Sequence, residues 1–110
     1  MATKQEISKI VQDIVRCIVQ QHHPQKIILF GSHARGTASP GSDIDLLVVT
    51  AIRHSRRRKA QEIYRSLTGI PYPKDIVVVT PQDVKKYRHT VGTIIEPAVS
   101  EGKVVYERAA

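Results

Sequence analysis

Tryptophan is absent from this sequence, phenylalanine occurs once and tyrosine four times among 110 residues. Rings so few and so scattered cannot build a platform on which nucleic-acid bases stack. Cysteine also occurs once, as Cys17, which excludes an intramolecular disulfide; no histidine stands at ligand spacing from it, so a zinc site is not expected. Long apolar runs are missing too. The most continuous, Ile27 to Phe30 and Ile44 to Val49, fall far short of the roughly 20 residues that a membrane helix needs. The opening MATKQEISKI has no basic segment leading into an apolar one, so no secretory signal is read there and a soluble, cytoplasmic protein is expected.

Acidic residues are in short supply, 10 against 17 Lys and Arg, for a formal charge of +7. A field of this sign favours polyanionic ligands: nucleotide, nucleic acid or an acidic protein. The densest basic stretch, Arg53-His54-Ser55-Arg56-Arg57-Arg58-Lys59, reads either as a phosphate-contacting patch or as a solvated helix face. The second reading is preferred, because cations alone do not select a ligand.

What is present fits one domain over residues 1–110, with 41% hydrophobic residues and no internal repeat or linker. Ile7, Ile10, Val11, Ile14, Val15, Ile18 and Val19 recur at spacings of three and four and predict a helix over Lys4 to Gln21. Three short runs rich in β-branched residues, Lys26 to Phe30, Ile44 to Thr50 and Asp75 to Thr80, predict covered strands. Ala60, Ile63, Tyr64 and Leu67 predict a helix over Arg53 to Thr68, closed by Gly69, Pro71 and Pro73. Thr80 and Pro81 have the chemistry of an N-cap and first helical residue, for a helix to about Tyr87. A further turn or two ends at Gly102, with Pro97 in its first turn, and Val104 to Tyr106 forms a last strand. Met1 to Thr3 and Glu107 to Ala110 are expected to fray.

The chemistry concentrates after the first strand. Ile27-Ile28-Leu29-Phe30 stops at Gly31-Ser32, and His33-Ala34-Arg35-Gly36 can begin a short helix. Such a turn offers close backbone approach at Gly31, a hydroxyl at Ser32 and free amides, which suits a phosphate. As an isolated dipeptide it would pass for an ordinary turn. Asp43 and Asp45 add weight: two residues apart at a strand start, they share one face. Adjacent carboxylates repel, and a divalent cation is their natural complement, magnesium above all. Asp75 opens the third strand and would complete the cluster if the two strands are neighbours; three acids at strand starts suit a two-metal site. Taken singly, Asp43 could be a capping carboxylate and Asp45 an exposed edge residue. Arg35 reads equally as a phosphate contact or a surface helix residue. His33, next to Ser32, reads either as a nucleotide contact or as a solvent-facing side chain, the second being preferred; His22 and His23 could cap carbonyls at the end of the first helix.

The stretch from Gly31 to Val48, Gly-Ser-His-Ala-Arg-Gly-Thr-Ala-Ser-Pro-Gly-Ser-Asp-Ile-Asp-Leu-Leu-Val, resembles the signature of the DNA polymerase beta nucleotidyltransferase superfamily. Within it, the chain looks most like the minimal nucleotidyltransferases (MNT) of bacteria and archaea. The resemblance is specific over residues 27–49; Asp75 in Lys74-Asp75-Ile76-Val77 and the ending Glu101 to Glu107 also match the family pattern. It implies an α/β (α+β) palm-like fold, a mixed sheet of about four strands packed with helices. It also implies transfer of a nucleoside monophosphate, AMP from ATP, to a hydroxyl. Gly31 and Ser32, assisted by Arg35, would hold the triphosphate; Asp43 and Asp45, with Asp75, would ligate two Mg2+ ions; and Asp75 would activate the acceptor.

The chain leaves no residues for a separate acceptor-binding domain, so the acceptor is expected on a partner, or on another copy in a homo-oligomer. The resemblance points to a HEPN-type protein and the antitoxin half of a toxin–antitoxin pair. Two other classes stay open: a non-catalytic module that caps a partner, and an RNA-binding protein using Arg56 to Lys59. Retention of Asp43, Asp45 and Asp75 beside Gly31-Ser32 argues against the first, and nucleic-acid binding has only the basic stretch in its support.

Overall fold

In the computed structural model, residues 3–109 are described. The element order is α1 (Lys4–His22), β1 (Lys26–Phe30), α2 (Ser32–Arg35), β2 (Ile44–Val49), α3 (Arg56–Ser66), β3 (Lys74–Val79), α4 (Pro81–Tyr87), α5 (Ile95–Glu101) and β4 (Lys103–Glu107). The strands form one mixed sheet in the order β3-β2-β1-β4. β1 runs antiparallel to both β2 and β4, and β2 runs parallel to β3, the two being joined through α3.

Alternation along the strands divides the core into two layers. Ile27, Leu29, Ile44, Leu46, Val48, Ile76 and Val78 face α1 and α3, where Val11, Ile14, Ile18, Ile63 and Leu67 complete a large buried cluster. Ile28, Leu47, Val49 and Val79 face the other way, against Ile95 and Ala98 of α5, with Val84 and Tyr87 of α4 at the margin. The central strand β2 is therefore covered on both sides, which explains why it reads as almost unbroken apolar sequence. Only Asp45 interrupts it, half-buried where every other residue of the strand is buried.

Capping residues set the helix limits more sharply than periodicity does. Thr3 accepts from the Glu6 amide and starts α1, so it is a cap and not part of a frayed end. Ser55 accepts from the Arg58 amide, which starts α3 at Arg56 and leaves Arg53 and His54 outside the helix predicted to include them. Thr80 and Asp83 form a reciprocal capping box at the start of α4, with Pro81 at its first position as expected. At the other end of α1, His23 adopts a left-handed conformation, and its backbone N–H bonds the Val19 carbonyl. Capping there is done by the main chain, while the His22 ring reaches Ser66 of α3.

The carboxyl end also departs from the expectation of fraying. Glu107 pairs with Lys26 in the sheet, and the Arg108 amide bonds the Gln25 carbonyl; Met1, Ala2 and Ala110 lie outside the described residues. Gly102 ends α5 as expected, in an extended rather than left-handed conformation. A Cβ there would stand 2.2 Å from the Ala98 carbonyl oxygen and 2.6 Å from the Ile28 side chain. Glycine is needed at that point so that α5 can lie close against β1. The stripe on α1 is wider than the sheet can cover: Ile7, Val15 and Val19 stay half-buried and, with Val105 and Tyr106, line an open groove of about 1070 Å3.

Candidate functional site

Asp45 and Asp75 sit directly opposite each other in the parallel β2–β3 pair. Two contacts set that level: the Ile44 amide donates to the Pro73 carbonyl at 3.0 Å, and Ile44 is in register with Lys74. Both carboxylates fall on the strand positions that point toward the α4/α5 layer, beyond the apolar residues Leu47, Val49 and Val79. Asp43 lies one residue before β2 and is exposed, as is Asp75. The alternative for Asp45, an exposed residue on an edge strand, is corrected here: β2 is an inner strand, and β3 and β4 are the edges.

The electrostatics show how closely the acids act on one another. The Asp45 carboxyl is pushed above its ordinary value first by burial, then by Asp75, then by Asp43; His33 and Arg35 draw it partly back. Loss of hydration and like charge thus combine on one group.

Gly31 is fitted to this carboxylate. Its φ of +74° is in the region that side chains disfavour, and a Cβ would stand 2.2 Å from Asp45 Oδ2. The close approach read from sequence as room for a phosphate is, in the structure, an approach to Asp45. The chain then turns into α2, a single helical turn in which the Ala34 and Arg35 amides bond the Gly31 carbonyl. Its leading amides, Ser32 and His33, have no preceding helical carbonyl to meet. Arg35 is exposed and lies 3.9 Å from Glu101 Oε2, a loose surface pair.

From α2 to β2 the path is fixed by a turn with Pro40 and Gly41 at its centre, φ +81° at Gly41, closed by Ser42 N–H to the Ser39 carbonyl at 3.0 Å. His33 ties this turn down. Its Nε2 lies 2.9 Å from the Ser42 carbonyl oxygen, and since a carbonyl only accepts, Nε2 carries the hydrogen. The ring also packs edge-on against Tyr72, at 6.4 Å between centroids. His33 is therefore half-buried and structural, which corrects the expectation that it faces solvent.

Tyr64 was legible only as part of the apolar stripe of α3. Its hydroxyl donates to Asp75 Oδ1 at 3.2 Å and accepts from the Ile76 N–H at 2.7 Å. That N–H faces away from β2, on the open edge of the sheet, so one phenol both closes a strand edge and orients the carboxylate beside it. No sequence signal marks this role, because it depends on α3 packing against β3.

Magnesium is the metal that the carboxylate pattern implies. Among the described residues, no group of three or more His, Cys, Asp or Glu side chains converges to hold a metal ion. An open carboxylate pair remains, and its donors are hard oxygens whose mutual repulsion a cation would relieve. Magnesium is commonly held in this way, by one or two carboxylates with waters and substrate phosphates completing its shell. The residues present fit it.

The structure thus brings together the opposed carboxylates of a parallel strand pair and a Gly-Ser turn packed on one of them. The family model described as nucleotidyltransferase domain matches residues 5–99, and the chain belongs to that family. A protein from Methanocaldococcus jannaschii, provisionally named a protein adenylyltransferase, is 33% identical over 74% of this chain and 58% of its own length. The chain thus spans little more than half of that relative. Among solved structures, a provisionally named nucleotidyltransferase from Sulfolobus solfataricus superposes with a TM-score of 0.69 at 19% identity, covering 96% of this chain and 84% of that one. The toxin–antitoxin complex MntA–HepT contains a chain that superposes with a TM-score of 0.55 at 20% identity, over 92% of this chain and 73% of the other. A toxin–antitoxin complex determined with AMP-PNP gives 0.53 at 23% identity, over 97% and 75%. At these identities the shared property is the fold, which here is the mixed α/β sheet expected from sequence. No helix among the described residues is long and apolar enough to cross a membrane.

Proposed function

We propose that this nucleotidyltransferase transfers AMP from ATP, with Mg2+, to a hydroxyl on a partner protein, and that the partner is the HEPN-type member of a toxin–antitoxin pair. The observation that carries the reading is the placement of Asp45 opposite Asp75, with Gly31 packed on the Asp45 carboxylate. The name of the M. jannaschii relative supports the reaction class, and the toxin–antitoxin complexes support the kind of partner.

In this reading the Ser32 hydroxyl and the leading amides of α2 bind the triphosphate, and Arg35 adds positive charge at its exposed side. Asp43 and Asp45, with Asp75 alongside, would hold Mg2+, which when bound neutralises charge on the reacting phosphates. Asp75, fixed by Tyr64, takes the proton of the acceptor hydroxyl. The oxygen bonds to the α-phosphorus as the bond to the β-phosphate breaks, and pyrophosphate leaves. In this reading the acceptor hydroxyl is the partner's, and position and charge make up most of the protein's contribution.

The test incubates the protein with ATP labelled in the α-phosphate, Mg2+ and the protein encoded by its operon neighbour. Label should pass to the neighbour and fall by at least about 100-fold with Asp43→Asn/Asp45→Asn, the scale of losing preorganised charge at a reacting phosphate. Transfer that survives the double substitution would remove the metal assignment. Absence of transfer to any neighbour, with tight complex formation, would favour the non-catalytic capping module.

A further inference from the structure

A second concave site lies at the end of the sheet remote from Asp45 and Asp75, a full strand length or about 17 Å away. There the chain leaving β2, the first turn of α3, the last turn of α1 and the residue after β4 enclose a cavity of about 560 Å3. Arg53, Lys59 and Arg108 line it with three fixed positive charges, and His22, His23 and His54 add ring nitrogens. Glu62 is the one carboxylate in the lining.

That carboxylate is already engaged. Arg58 Nε lies 3.6 Å and Lys59 Nζ 3.9 Å from its two oxygens. Arg53 enters no ion pair among the described residues. Arg108 donates to the His23 carbonyl, which fixes the guanidinium without cancelling its charge. The neighbouring sequence adds to the imbalance: Arg56, Arg57 and Arg58 occupy the first turn of α3, where no acidic residue stands. Cations at that end of a helix oppose its dipole, so their presence costs stability. Asp83 compensates Arg56, and among the described residues no carboxylate pairs with Arg53 or Arg108.

Uncompensated guanidinium groups around a hollow are satisfied together by an anion with several charged oxygens, which accepts from more than one donor at once. The lining has no Phe, Tyr or Trp to hold a nucleobase, so phosphate and not base is the feature recognised. We propose that this cavity binds a small multivalent phosphate anion of the diphosphate or triphosphate class, at a site separate from Gly31 and Asp45. The site does not depend on the transfer reaction.

The test is an amide NMR titration of the full chain with sodium tripolyphosphate, free of divalent metal, repeated with pyrophosphate, ATP and a single-stranded RNA. Saturable shifts are expected at Arg53 to Lys59 and at Arg108, weakening as salt is added. Arg53→Ala/Arg108→Ala should weaken binding by at least about tenfold, as loss of charged hydrogen bonds does. Asp43→Asn/Asp45→Asn should leave it unchanged. Should the double variant lose dispersion, Arg53→Ala alone, outside every helix and strand, must still weaken binding. Comparable binding of ATP and tripolyphosphate at these same amides is expected, and clearly stronger binding of ATP would mean that the nucleoside is recognised and would overturn the assignment to phosphate alone. Shifts confined to Gly31–Arg35, shifts undiminished in the variants, or binding of RNA without tripolyphosphate would each overturn the proposal.

Discussion

Asp45 shows what the site costs its own fold. A carboxyl whose folded pKa is raised above its unfolded value opposes folding when ionised, and the penalty disappears as pH falls below the unfolded value. With a chelator present, Asp45→Asn should raise the Tm at pH 7 by a few degrees, with the gain shrinking as the solution is acidified toward pH 4. Added Mg2+ should raise the Tm of the native protein and not that of the variant, since an ion stabilises only the state that binds it. Thermal scans at several pH values check both expectations. Tyr64 acts at the same scale but through another residue. Tyr64→Phe leaves Asp75 in place with one hydrogen bond fewer, so kcat should fall by roughly tenfold with the KM for ATP unchanged. That is small beside the roughly 10²–10⁴ attributed to a general base itself. Steady-state rates on both variants would separate the roles, because Tyr64→Phe should add nothing to Asp75→Asn.

At the scale of elements, the α4 cap is the clearest case of side chains specifying a boundary. Asp83 accepts from Arg56 and from the Thr80 amide, the latter at 2.9 Å, and in that order the two hold its carboxyl well below the usual range. Such a group stabilises the fold above its unfolded pKa and loses that contribution as pH falls toward the folded one. Asp83→Ala should therefore cost about 1 kcal/mol at neutral pH, the usual worth of a cap, and the two proteins should converge in strong acid. Denaturant unfolding at pH 7 and at steps down into strong acid follows the loss. Arg56 is more than half exposed, so most of the effect belongs to the cap and little to the ion pair.

Elements also show how far the sequence could be read. The stripe of α1, the β-branched runs and the Thr80-Pro81 start carry their own local signals, and each is where it was expected. Ser55 was misplaced inside a helix because periodicity cannot see a cap, whereas a search for Ser, Thr, Asp or Asn before the apolar spacing would have found it. The Gly31, Asp43 and Asp45 pattern is local and stood out. Alignment of Asp75 with Asp45, the Tyr64 contact and the anchoring of Ser42 by His33 are matters of register and packing between distant segments. No window along the chain contains them.

For the whole molecule, charge and layering are distributed unevenly. Six of the 17 Lys and Arg residues, Arg53, Arg56 to Lys59 and Arg108, gather around one end of the sheet, while the opposed acids occupy the other. The two core layers are unequal as well. α1 has 19 residues, with Val11, Ile14 and Ile18 buried; α4 and α5 have seven each, α4 buries none, and α5 buries only Ile95 and Ala98. Helices so short do not persist without their packing. Local opening should therefore begin on that side. In native-state hydrogen exchange, the amides of α4 and α5 should exchange through openings of lower free energy than those of α1 and β2. Because Asp45 and Asp75 project from the same face, the thin layer makes their surroundings the most easily rearranged part of the protein. On the proposed reading, that rearrangement is what admits a partner's hydroxyl while β1 and β2, held under the thicker layer, keep Gly31 seated on its carboxylate.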